Sequence, residues 1–270
     1  YLKNKLSKKE LKFVPSSFDV VGDILIFSDF PKELVKKEKM IGNTILENYP
    51  NIKTILKKTK KYSGKFRTPK LKVIAGKNRK ETAYRENNIL VKLDVEKVYF
   101  SPRMSNERKR IAELVKQNEC VLVMFSGSGI YPLVISKNSK CKEVYGIEIN
   151  PSAHKYAMEN IKKNKLENKI KAFLGDVKIT MPKLKKKFDR ILMPLPKGGE
   201  NFLNLALKFI KNKGVVHFYD FLHEDEFYKL EEKVEKACDK LRKKYKILKI
   251  VKCGQYSPRF YRVCADFQVN

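Results

Sequence analysis

The stretch CVLVMFSGSG (residues 120–129) decides the fold, because an apolar strand here runs directly into a glycine turn. Gly127 and Gly129 lack a Cβ, so the backbone amides of this turn are predicted to face a ligand. Helices are predicted on both sides of it, for NERKRIAELVKQN (106–118) and YPLVISKNS (131–139). A single Gly-x-Gly does not identify the ligand, and the rest of the chain has to supply that information.

The alternation of helix and strand continues beyond this turn. Further strands are predicted for EVYGIEIN (143–150), IKAFLGD (170–176), FDRILMP (188–194) and GVVHFYDF (214–221), and helices for 151–166 and 200–212. This order predicts a doubly wound, mostly parallel sheet. A long charged helix (224–245) then precedes YKILKIVKCG (245–254) and RFYRVCADFQV (259–269). The predicted fold class is α/β: a Rossmann-like sheet that closes with a C-terminal antiparallel hairpin.

The first hundred residues have a different pattern and predict a small α+β domain. FDVVGDILIF (18–27) predicts two strands around a Gly-Asp turn, and residues 32–49 have helical spacing of apolar side chains. Short strands are predicted at 52–58, 71–76 and 89–95. A basic segment, KKTKKYSGKFRTPKLK (57–72), is interpreted mainly as a loop. The predicted domains are therefore residues 1–96 and residues 97–270.

The composition restricts the class of partner. Lysine and arginine number 60 against 30 acidic residues, which gives a net charge of +30. Such an excess indicates a polyanion such as nucleic acid, although lysines that are merely solvated would give the same count. Five cysteines without a CxxC pair and only three histidines argue against a zinc site and a disulfide scaffold. No apolar run reaches the ~18 residues of a membrane span, so a soluble, intracellular protein is expected.

Acidic residues follow the next two predicted strands. Glu148, about twenty residues after the glycines, can accept both hydroxyls of a ribose, and Asp176 suits the exocyclic amine of adenine. Each acid taken singly is better explained as a helix N-cap or a turn residue. Together with the glycine turn they form the pattern of an S-adenosylmethionine-binding sheet. NAD is the competing ligand, but Pro132 stands where its fingerprint requires a third glycine.

The loop LMPLPKGG (192–199) ends another predicted strand and is made rigid by two prolines. Methyltransferases that act on amines place Asn or Asp before Pro-Pro at such a position, and here the residue is Pro194. Methylation of an exocyclic amine is therefore disfavoured. We interpret the loop as the wall of a pocket for a flipped base, with Leu195 and Pro196 shaping the slot and Lys197 near the RNA.

Several motifs occur in one order along nearly the whole chain: SSFDVVGDILI, GKFRTPKLKVIAG, KVYFSPRMSNERKRI, GIEINP, LMPLPKGGENFLNLAL, GVVHFYDF and YSPRFYRVCADFQV. Together they resemble the archaeal and eukaryotic-type tRNA (guanine-37-N1) methyltransferase family of class I enzymes. The resemblance implies methyl transfer from S-adenosylmethionine to N1 of the guanine beside the anticodon. It also implies a small domain that meets the tRNA, here 1–96, followed by a catalytic domain, here 97–270. The family's separate N-terminal domain is expected to be absent. A cytoplasmic monomer without a metal ion is predicted.

The resemblance also assigns roles to particular residues. Glu107 matches the proposed base that takes the N1 proton, and Arg67 matches an arginine that stabilises the developing charge or orients the target base. Without the resemblance, Glu107 is equally a first-turn acid favoured by the helix dipole, and Arg67 an ordinary phosphate contact. The predicted cofactor-binding residues are Tyr99, Arg108, Phe125, Gly127, Gly129, Glu148, Ile149, Asn150, Asp176, Val177, Pro194 and Leu195. The predicted RNA-binding residues are Lys60, Lys61, Lys65, Arg67, Arg103, Pro196, Lys197 and Arg259.

Two departures from the family pattern keep alternatives open. Val123 replaces the usual Asp near the methionine amine, and Pro194 replaces an Asn near the guanine. One alternative is a wyosine-pathway enzyme that transfers an aminocarboxypropyl group, although such enzymes generally have MGYV-like residues for MPLPK and YAPG for YSPR. A bifunctional methyltransferase acting on guanosine and on a wyosine precursor is another. The third is a basic RNA-binding protein whose active site has decayed.

Overall fold

The chain forms two compact units, residues 1–86 with 90–102 and residues 87–89 with 103–270. The structure, a computed structural model, describes the backbone throughout and the side chains of residues 1–60 and 64–270. The predicted boundary between residues 96 and 97 lies near this division, and the roles assigned to the two predicted domains remain predictions. No helix in the described part of the chain is long and apolar enough to cross a bilayer.

The first unit is built on a four-stranded sheet in the order β1-β2-β3-β4. In chain order its elements are α1 (Lys8–Leu11), β1 (Phe18–Val21), β2 (Ile24–Phe27), a 3-10 helix (Lys32–Lys37), α2 (Glu38–Asn48), β3 (Thr54–Ser63), β4 (Thr68–Gly76), β5 (Glu81–Glu86) and β6 (Ile89–Asp94). The predicted helix 32–49 therefore begins as a 3-10 helix, and β5 is a strand that the sequence pattern did not indicate. Alternating apolar side chains of β2 to β4, such as Leu25, Ile55 and Ile74, bury one face of the sheet.

The basic segment 57–72 is mostly a β-hairpin, so its interpretation as a loop was wrong. Strands β3 and β4 pair antiparallel across it and leave only residues 64–67 in the turn. Leu71 within the segment and Leu56 just before it are buried and keep the strand pairing in register. The Glu38 carboxylate forms ion pairs with Lys57 and with Lys72, the latter at 2.6 Å. Two of the segment's cations are thereby bound by one anion within the unit.

The second unit contains a seven-stranded sheet in the order β12-β13-β11-β10-β7-β8-β9. Its elements are a 3-10 helix (Pro102–Met104), α3 (Ser105–Leu114), β7 (Cys120–Met124), α4 (Ile130–Asn138), β8 (Glu143–Glu148), α5 (Pro151–Lys163), β9 (Ile170–Leu174), α6 (Val177–Lys183), β10 (Phe188–Met193), a 3-10 helix (Gly199–Phe202), α7 (Leu203–Phe209), β11 (Ile210–His223), a 3-10 helix (Glu224–Glu226), α8 (Tyr228–Lys240), β12 (Tyr245–Ser257) and β13 (Phe260–Val269). Strands β7 to β11 are parallel, and β13 is antiparallel to both of its neighbours. The predicted fold class is confirmed.

Three helix boundaries differ from the prediction. Helix α6 replaces a predicted connection, because the Asp176 side chain accepts the Lys178 N–H at 2.8 Å and caps a helix that ends one residue after Pro182. The predicted helix 200–212 stops at Phe209, where β11 begins. The predicted helix 224–245 is shorter, with its regular part at Tyr228–Lys240. At Phe209 strand pairing overrides the local helical pattern, whereas α8 is preceded by a 3-10 helix and ends before β12 begins.

A buried carboxylate, Asp266 on β13, joins helix α3 to the sheet. Arg110 of α3 donates to it from Nη1 at 2.5 Å, and its other oxygen lies 2.6 Å from Nδ1 of His217 on β11. Burial by itself would raise the pKa of Asp266, but the hydrogen bonds from His217 and Arg110 outweigh it and hold that pKa far below its usual range. Asp266 is therefore an anion at neutral pH.

The chain of buried polar groups continues from His217 to the other end of α3. Arg190 of β10 lies with Nη1 2.6 Å from His217 Nε2, and it also donates to Glu119 at 2.8 Å and to the Leu114 carbonyl at 2.7 Å. Arginine can only donate, so His217 Nε2 must accept and the ring proton is on Nδ1, which donates to Asp266. Burial lowers the pKa of His217 and keeps the ring neutral. Helix α3 is thus tied to three strands by directional bonds.

Asp266→Asn is expected to destabilise the protein by about 3–5 kcal/mol, because it removes the buried anion that the half-buried Arg110 and His217 both bind. The free energy of unfolding of the second unit, measured in urea, tests this. Glu113→Gln is the matched control: Glu113 lies on the same helix with its side chain 63% exposed, 3.9 Å from Lys109. An Asp266→Asn variant as stable as that control would contradict the role given to Asp266.

Candidate active site

The residues that follow β7, β8, β9 and β10 share one edge of the sheet, since these parallel neighbours all end there. Two backbone hydrogen bonds connect the strand ends directly: the Ser126 N–H donates to the Ile147 carbonyl at 2.9 Å, and the Gly175 N–H to the Glu148 carbonyl at 2.8 Å. Ligands of open α/β sheets bind in the crevice at this edge. The predicted residues 125–129, 148–150, 176–177 and 194–197 are therefore brought together.

The glycine turn after β7 is strained in the left-handed region. Phe125 and Gly127 have φ of 58°, and Gly129 has φ of 81°. A Cβ on Gly129 would stand 3.2 Å from the Ala157 Cβ, so this glycine permits close packing of α5. The Gly127 N–H donates to Glu148 Oε2 at 2.7 Å. The sequence predicted that this amide faces a ligand, whereas in the structure it holds the neighbouring acid.

Glu148 is fixed at the end of β8 by backbone amides. Besides the bond from Gly127, the Asn150 N–H donates to Oε1 at 2.7 Å. Burial raises the pKa of the Glu148 carboxyl, although backbone hydrogen bonds from Asn150, Gly127 and Ile149 act to lower it. A carboxylate offers about four acceptor positions, so at least one remains for a ribose hydroxyl. Its fixed orientation fits the ribose contact that the sequence predicts.

Asn150 and Asp176 are both helix N-caps. The Asn150 Oδ1 accepts the N–H groups of Ser152 and Ala153 at 3.0 and 3.4 Å, and Asp176 caps α6 through one carboxylate oxygen. Capping is the alternative that the sequence left open for Asp176. In Asp176 it uses Oδ1 and leaves the second oxygen for a ligand amine. The adjacent Ile149 is half-buried, and Val177 is buried in the core.

An aromatic pair lies beside the glycine turn. The rings of Phe125 and Phe202 meet edge to face with centroids 5.0 Å apart, and the Lys178 Nζ lies 5.2 Å from the Phe202 ring centre. Phe202 and Lys178 were not predicted as site residues. The Phe-Leu pair after LPKGGEN was the one sequence signal for Phe202. These two rings give the strand edge an apolar wall.

The loop after β10 is rigid, as the prolines predicted. The Leu195 N–H donates to the Met193 carbonyl at 2.7 Å, and the Pro196 carbonyl accepts the Phe221 N–H at 3.1 Å. Pro194 and Leu195 are half-buried and Lys197 is exposed. Pro196 itself is buried, so its predicted contact with RNA remains a prediction.

Glu107 of helix α3 is a buried carboxylate beside strand β11. Arg110 binds it with two parallel hydrogen bonds, Nε to Oε2 at 2.7 Å and Nη2 to Oε1 at 2.8 Å, and the Tyr219 hydroxyl donates to Oε1 at 2.5 Å. Burial raises the pKa of Tyr219 well above its ordinary value, so this hydroxyl keeps its proton. These three bonds from described residues leave about one acceptor position, on Oε2.

The contact with Tyr219 shows how far along the strands Glu107 lies. The last residue of β10, Met193, pairs with Phe218 of β11, so Tyr219 stands one residue beyond the end of β10. Glu107 therefore reaches the same edge as the glycine turn and Glu148. Next to it on α3, Arg108 is buried, and its predicted contact with the cofactor remains a prediction.

The remaining predicted residues belong to other parts of the chain. Arg67, Tyr99, Lys60 and Lys65 belong to the first unit, and Arg103 is exposed at the start of the second. The side chain of Lys61 lies outside the described residues. Arg259 binds Glu224 and Asp225 of its own chain, each at 2.7 Å. Its assignment to RNA binding remains a prediction.

Three potential metal ligands lie within the buried chain. The ligand atoms of His217, Cys264 and Asp266 all lie within 4.8 Å of one another. The hydrogen-bond acceptors of His217 and Asp266 already accept from Arg190 and Arg110, so the local charge is balanced by guanidinium groups. We therefore interpret this group as a hydrogen-bonded network, and the absence of a metal ion from the reaction remains a prediction.

Strand order and strand-edge residues together define a class. Counting the sheet strands from β7, the order is 6-7-5-4-1-2-3 with the seventh strand antiparallel, and the glycine turn and the following acid lie at strands 1 and 2. This is the architecture of class I S-adenosylmethionine-dependent methyltransferases. Residues 82–248 match the TRM5/TYW2 methyltransferase domain, and residues 1–79 match the TYW2 N-terminal domain. The chain belongs to the TRM5/TYW2 methyltransferase family.

Individual relatives agree with this placement. The chain is 40% identical to tRNA (guanine(37)-N(1))-methyltransferase Trm5b of Pyrococcus abyssi over 96% of its own length and 76% of that protein. It is 36% identical to the tRNA (guanine(37)-N(1))/4-demethylwyosine(37)-methyltransferase Taw22 of Nanoarchaeum equitans, over 92% of this chain and 97% of that one. A solved complex of aTrm5 with tRNALeu superimposes with a TM-score of 0.88 at 33% identity, covering 100% of this chain and 77% of that one.

Proposed function

We propose that this protein transfers a methyl group from S-adenosylmethionine to N1 of guanosine 37 in tRNA. The observation that carries the proposal is Glu107, a buried carboxylate held at the cofactor edge of the sheet with one acceptor position left. N1 of guanine carries a proton and is a poor nucleophile until that proton leaves. A fixed carboxylate within hydrogen-bond reach can remove it. The names of the similar Trm5b and Taw22 proteins include this reaction.

The residues at the strand edge fit S-adenosylmethionine. Glu148 would accept the ribose hydroxyls, the free oxygen of Asp176 the adenine amine, and Arg108 the methionine carboxylate. Phe125 and Phe202 would pack against the apolar surfaces of the cofactor. The bound cofactor supplies an electrophilic methyl group. Val123, fully buried in β7, provides no polar contact to the methionine amine, in contrast to the usual Asp.

Side chains of this protein position the group that accepts the N1 proton. Arg110 and Tyr219 hold both Glu107 oxygens, and the remaining lone pair of Oε2 accepts the N1 proton. In the first unit, Arg67 is proposed to offset the negative charge that develops on the guanine. Pro194 has no side-chain acceptor or donor, so it shapes the pocket wall and takes no part in proton transfer.

Transfer RNA is the proposed partner, and the net charge of +30 provides the attraction. Cations of the β3–β4 hairpin and its turn, Lys60, Lys61, Lys65 and Arg67, together with Arg103 and Lys197, are proposed to contact the anticodon stem-loop. Phosphate contacts of this kind position the RNA without reading its sequence. We further propose that the protein works in the cytoplasm as a monomer without a metal ion.

A second candidate is a methyltransferase that also accepts 4-demethylwyosine at position 37. It is favoured by the match of residues 1–79 to the TYW2 N-terminal domain and by the similarity to Taw22 over almost all of that protein. Pro194 bears on which base is accepted. It replaces the usual Asn by a ring without hydrogen-bond donors, so the pocket wall discriminates less between bases by polar contacts. The same strand-edge site would carry out both transfers.

A labelling experiment separates these functions. The protein is incubated with S-adenosylmethionine labelled either in the methyl or in the carboxyl group, and with tRNA transcripts carrying G37 or A37. We expect methyl label in the G37 transcript alone, released on digestion as 1-methylguanosine. Carboxyl label in RNA would contradict methyl transfer. Methylation of tRNA containing 4-demethylwyosine would establish the second candidate, and tRNA binding without any transfer would establish a non-catalytic protein.

Glu107→Gln should lower the single-turnover rate by about 10²–10⁴-fold, because an amide cannot accept the N1 proton. Cofactor affinity, measured by calorimetry, should be unchanged and also reports that the variant is folded. Glu113→Gln on the same helix is the matched control and should keep the wild-type rate. A Glu107→Gln variant with the wild-type single-turnover rate would show that another group takes the proton.

A further inference from the structure

The geometry points to a stacking surface for the RNA at the end of the C-terminal hairpin. This surface, the aromatic tip, consists of Phe221 and His223 at the end of β11 and Tyr256 and Phe260 of the β12–β13 hairpin. We propose that it stacks an unpaired base next to the target nucleotide. The proposal rests on the proposed function, because it takes the substrate RNA as the partner.

The aromatic tip lies on the same face of the sheet as the proposed base. Side chains two residues apart on a strand point to the same face, and Tyr219, which contacts Glu107, is followed on β11 by Phe221 and His223. Two residues of strand advance by about 7 Å. The tip therefore begins one such step beyond the Tyr219–Glu107 contact, in the direction in which the parallel strands end.

The rings of the aromatic tip contact one another in pairs. Phe221 and Tyr256 lie with centroids 4.5 Å apart at an interplanar angle of 38°, and His223 and Phe260 meet at 5.2 Å and 73°. Tyr256 is 69% exposed and Phe260 42% exposed. Each pair thus has one inner ring that is half-buried and one outer ring that presents its surface to solvent.

Two arginines lie beside these rings. The Arg262 guanidinium carbon lies 5.1 Å from the centre of the Phe221 ring, on the strand position that pairs with Phe221. Arg259, in the hairpin turn, is bound by Glu224 and Asp225, which offset its charge, and its carbonyl accepts the Glu224 N–H at 2.9 Å. Through these contacts Arg259 holds the turn against the 3-10 helix. The tip thus combines exposed rings with one arginine, Arg262, that contacts an inner ring.

An unpaired base fits this surface better than an apolar partner does. Exposed aromatic rings combined with arginine are the means by which proteins bind single-stranded nucleic acid, and each stacked base contributes about 1–3 kcal/mol. A nucleotide that flips out of an anticodon loop leaves its neighbours without a stacking partner on one side. One of these neighbours would find the outer face of Tyr256 near the pocket that receives the target.

Tyr256→Ala tests the proposal through binding of an anticodon stem-loop with G37. We expect its Kd to rise roughly 5- to 100-fold, while Tyr256→Phe, which keeps the ring, stays within about 2-fold. Leu248→Ala is the matched control, since Leu248 lies on the same strand and is 49% exposed. Urea midpoints equal to that of the wild type show that the variants are folded.

Stem-loops with an abasic site at position 36 or 38 identify the stacked base. For one of them, Tyr256→Ala should cause no further loss of affinity, because the stacking partner is already missing. Equal losses on all three RNAs, or no loss on the intact one, would overturn the proposal. So would a wild-type dimer in sedimentation that Tyr256→Ala abolishes, because the tip would then bind a second copy. If the wild type itself does not methylate G37, the proposed function fails instead.

Discussion

The arrangement of the second unit depends on the hydrogen bonds that the buried Asp266 carboxylate accepts from Arg110 and His217. Arg110 donates to Asp266 and to Glu107 at once, so the position of Glu107 is set by a strand at the far end of the sequence. Burying such charges is costly, and apolar residues of similar size often give equal stability. The network therefore contributes more to orientation than to stability. Its directional bonds fix helix α3, and with it the Glu107 carboxylate, at one place on the sheet.

Along the shared face of β11 and β13, the side chains change from buried to half-buried toward the end of β11. His217 pairs with Asp266, Tyr219 with Cys264 and Phe221 with Arg262, in register along the two strands. The first pair belongs to the ionic network, the second contacts Glu107, and the third begins the aromatic tip. The ionic network, the proposed proton acceptor and the proposed RNA contact thus lie on successive steps of one antiparallel ladder. Few side chains separate the interior of the unit from its proposed substrate surface.

The sequence predicted the strand-edge residues because the rule behind them is local. A strand ends, a glycine turn follows, and an acid such as Glu148 appears after the next strand, so spacing alone places them at one edge. The partners of Glu107 could not be predicted in this way. Arg110 lies one helical turn from Glu107, where a salt bridge is expected on spacing, but Tyr219 lies 112 residues from Glu107. Asp266, which holds Arg110 in place, lies 156 residues from Arg110.

Other differences have the same origin in non-local contacts. The basic segment 57–72 gave no hint that Glu38 binds both Lys57 and Lys72, because that contact requires the strand pairing of β3 with β4. Gly127 was assigned to a ligand, but its amide meets Glu148 once β7 and β8 are side by side. Local pattern thus predicts which elements form, and tertiary pairing decides which polar groups remain available.

A crystal structure of the protein with a non-reactive cofactor analogue and a G37 anticodon stem-loop tests the central claim most directly. The distance from Glu107 Oε2 to N1 of guanine 37 is the quantity to measure. The account predicts a hydrogen bond of about 2.6–3.2 Å, with Arg110 still bound to both Glu107 and Asp266. A guanine whose N1 faces another acceptor, with Glu107 remaining sealed behind Arg110 and Tyr219, would contradict it.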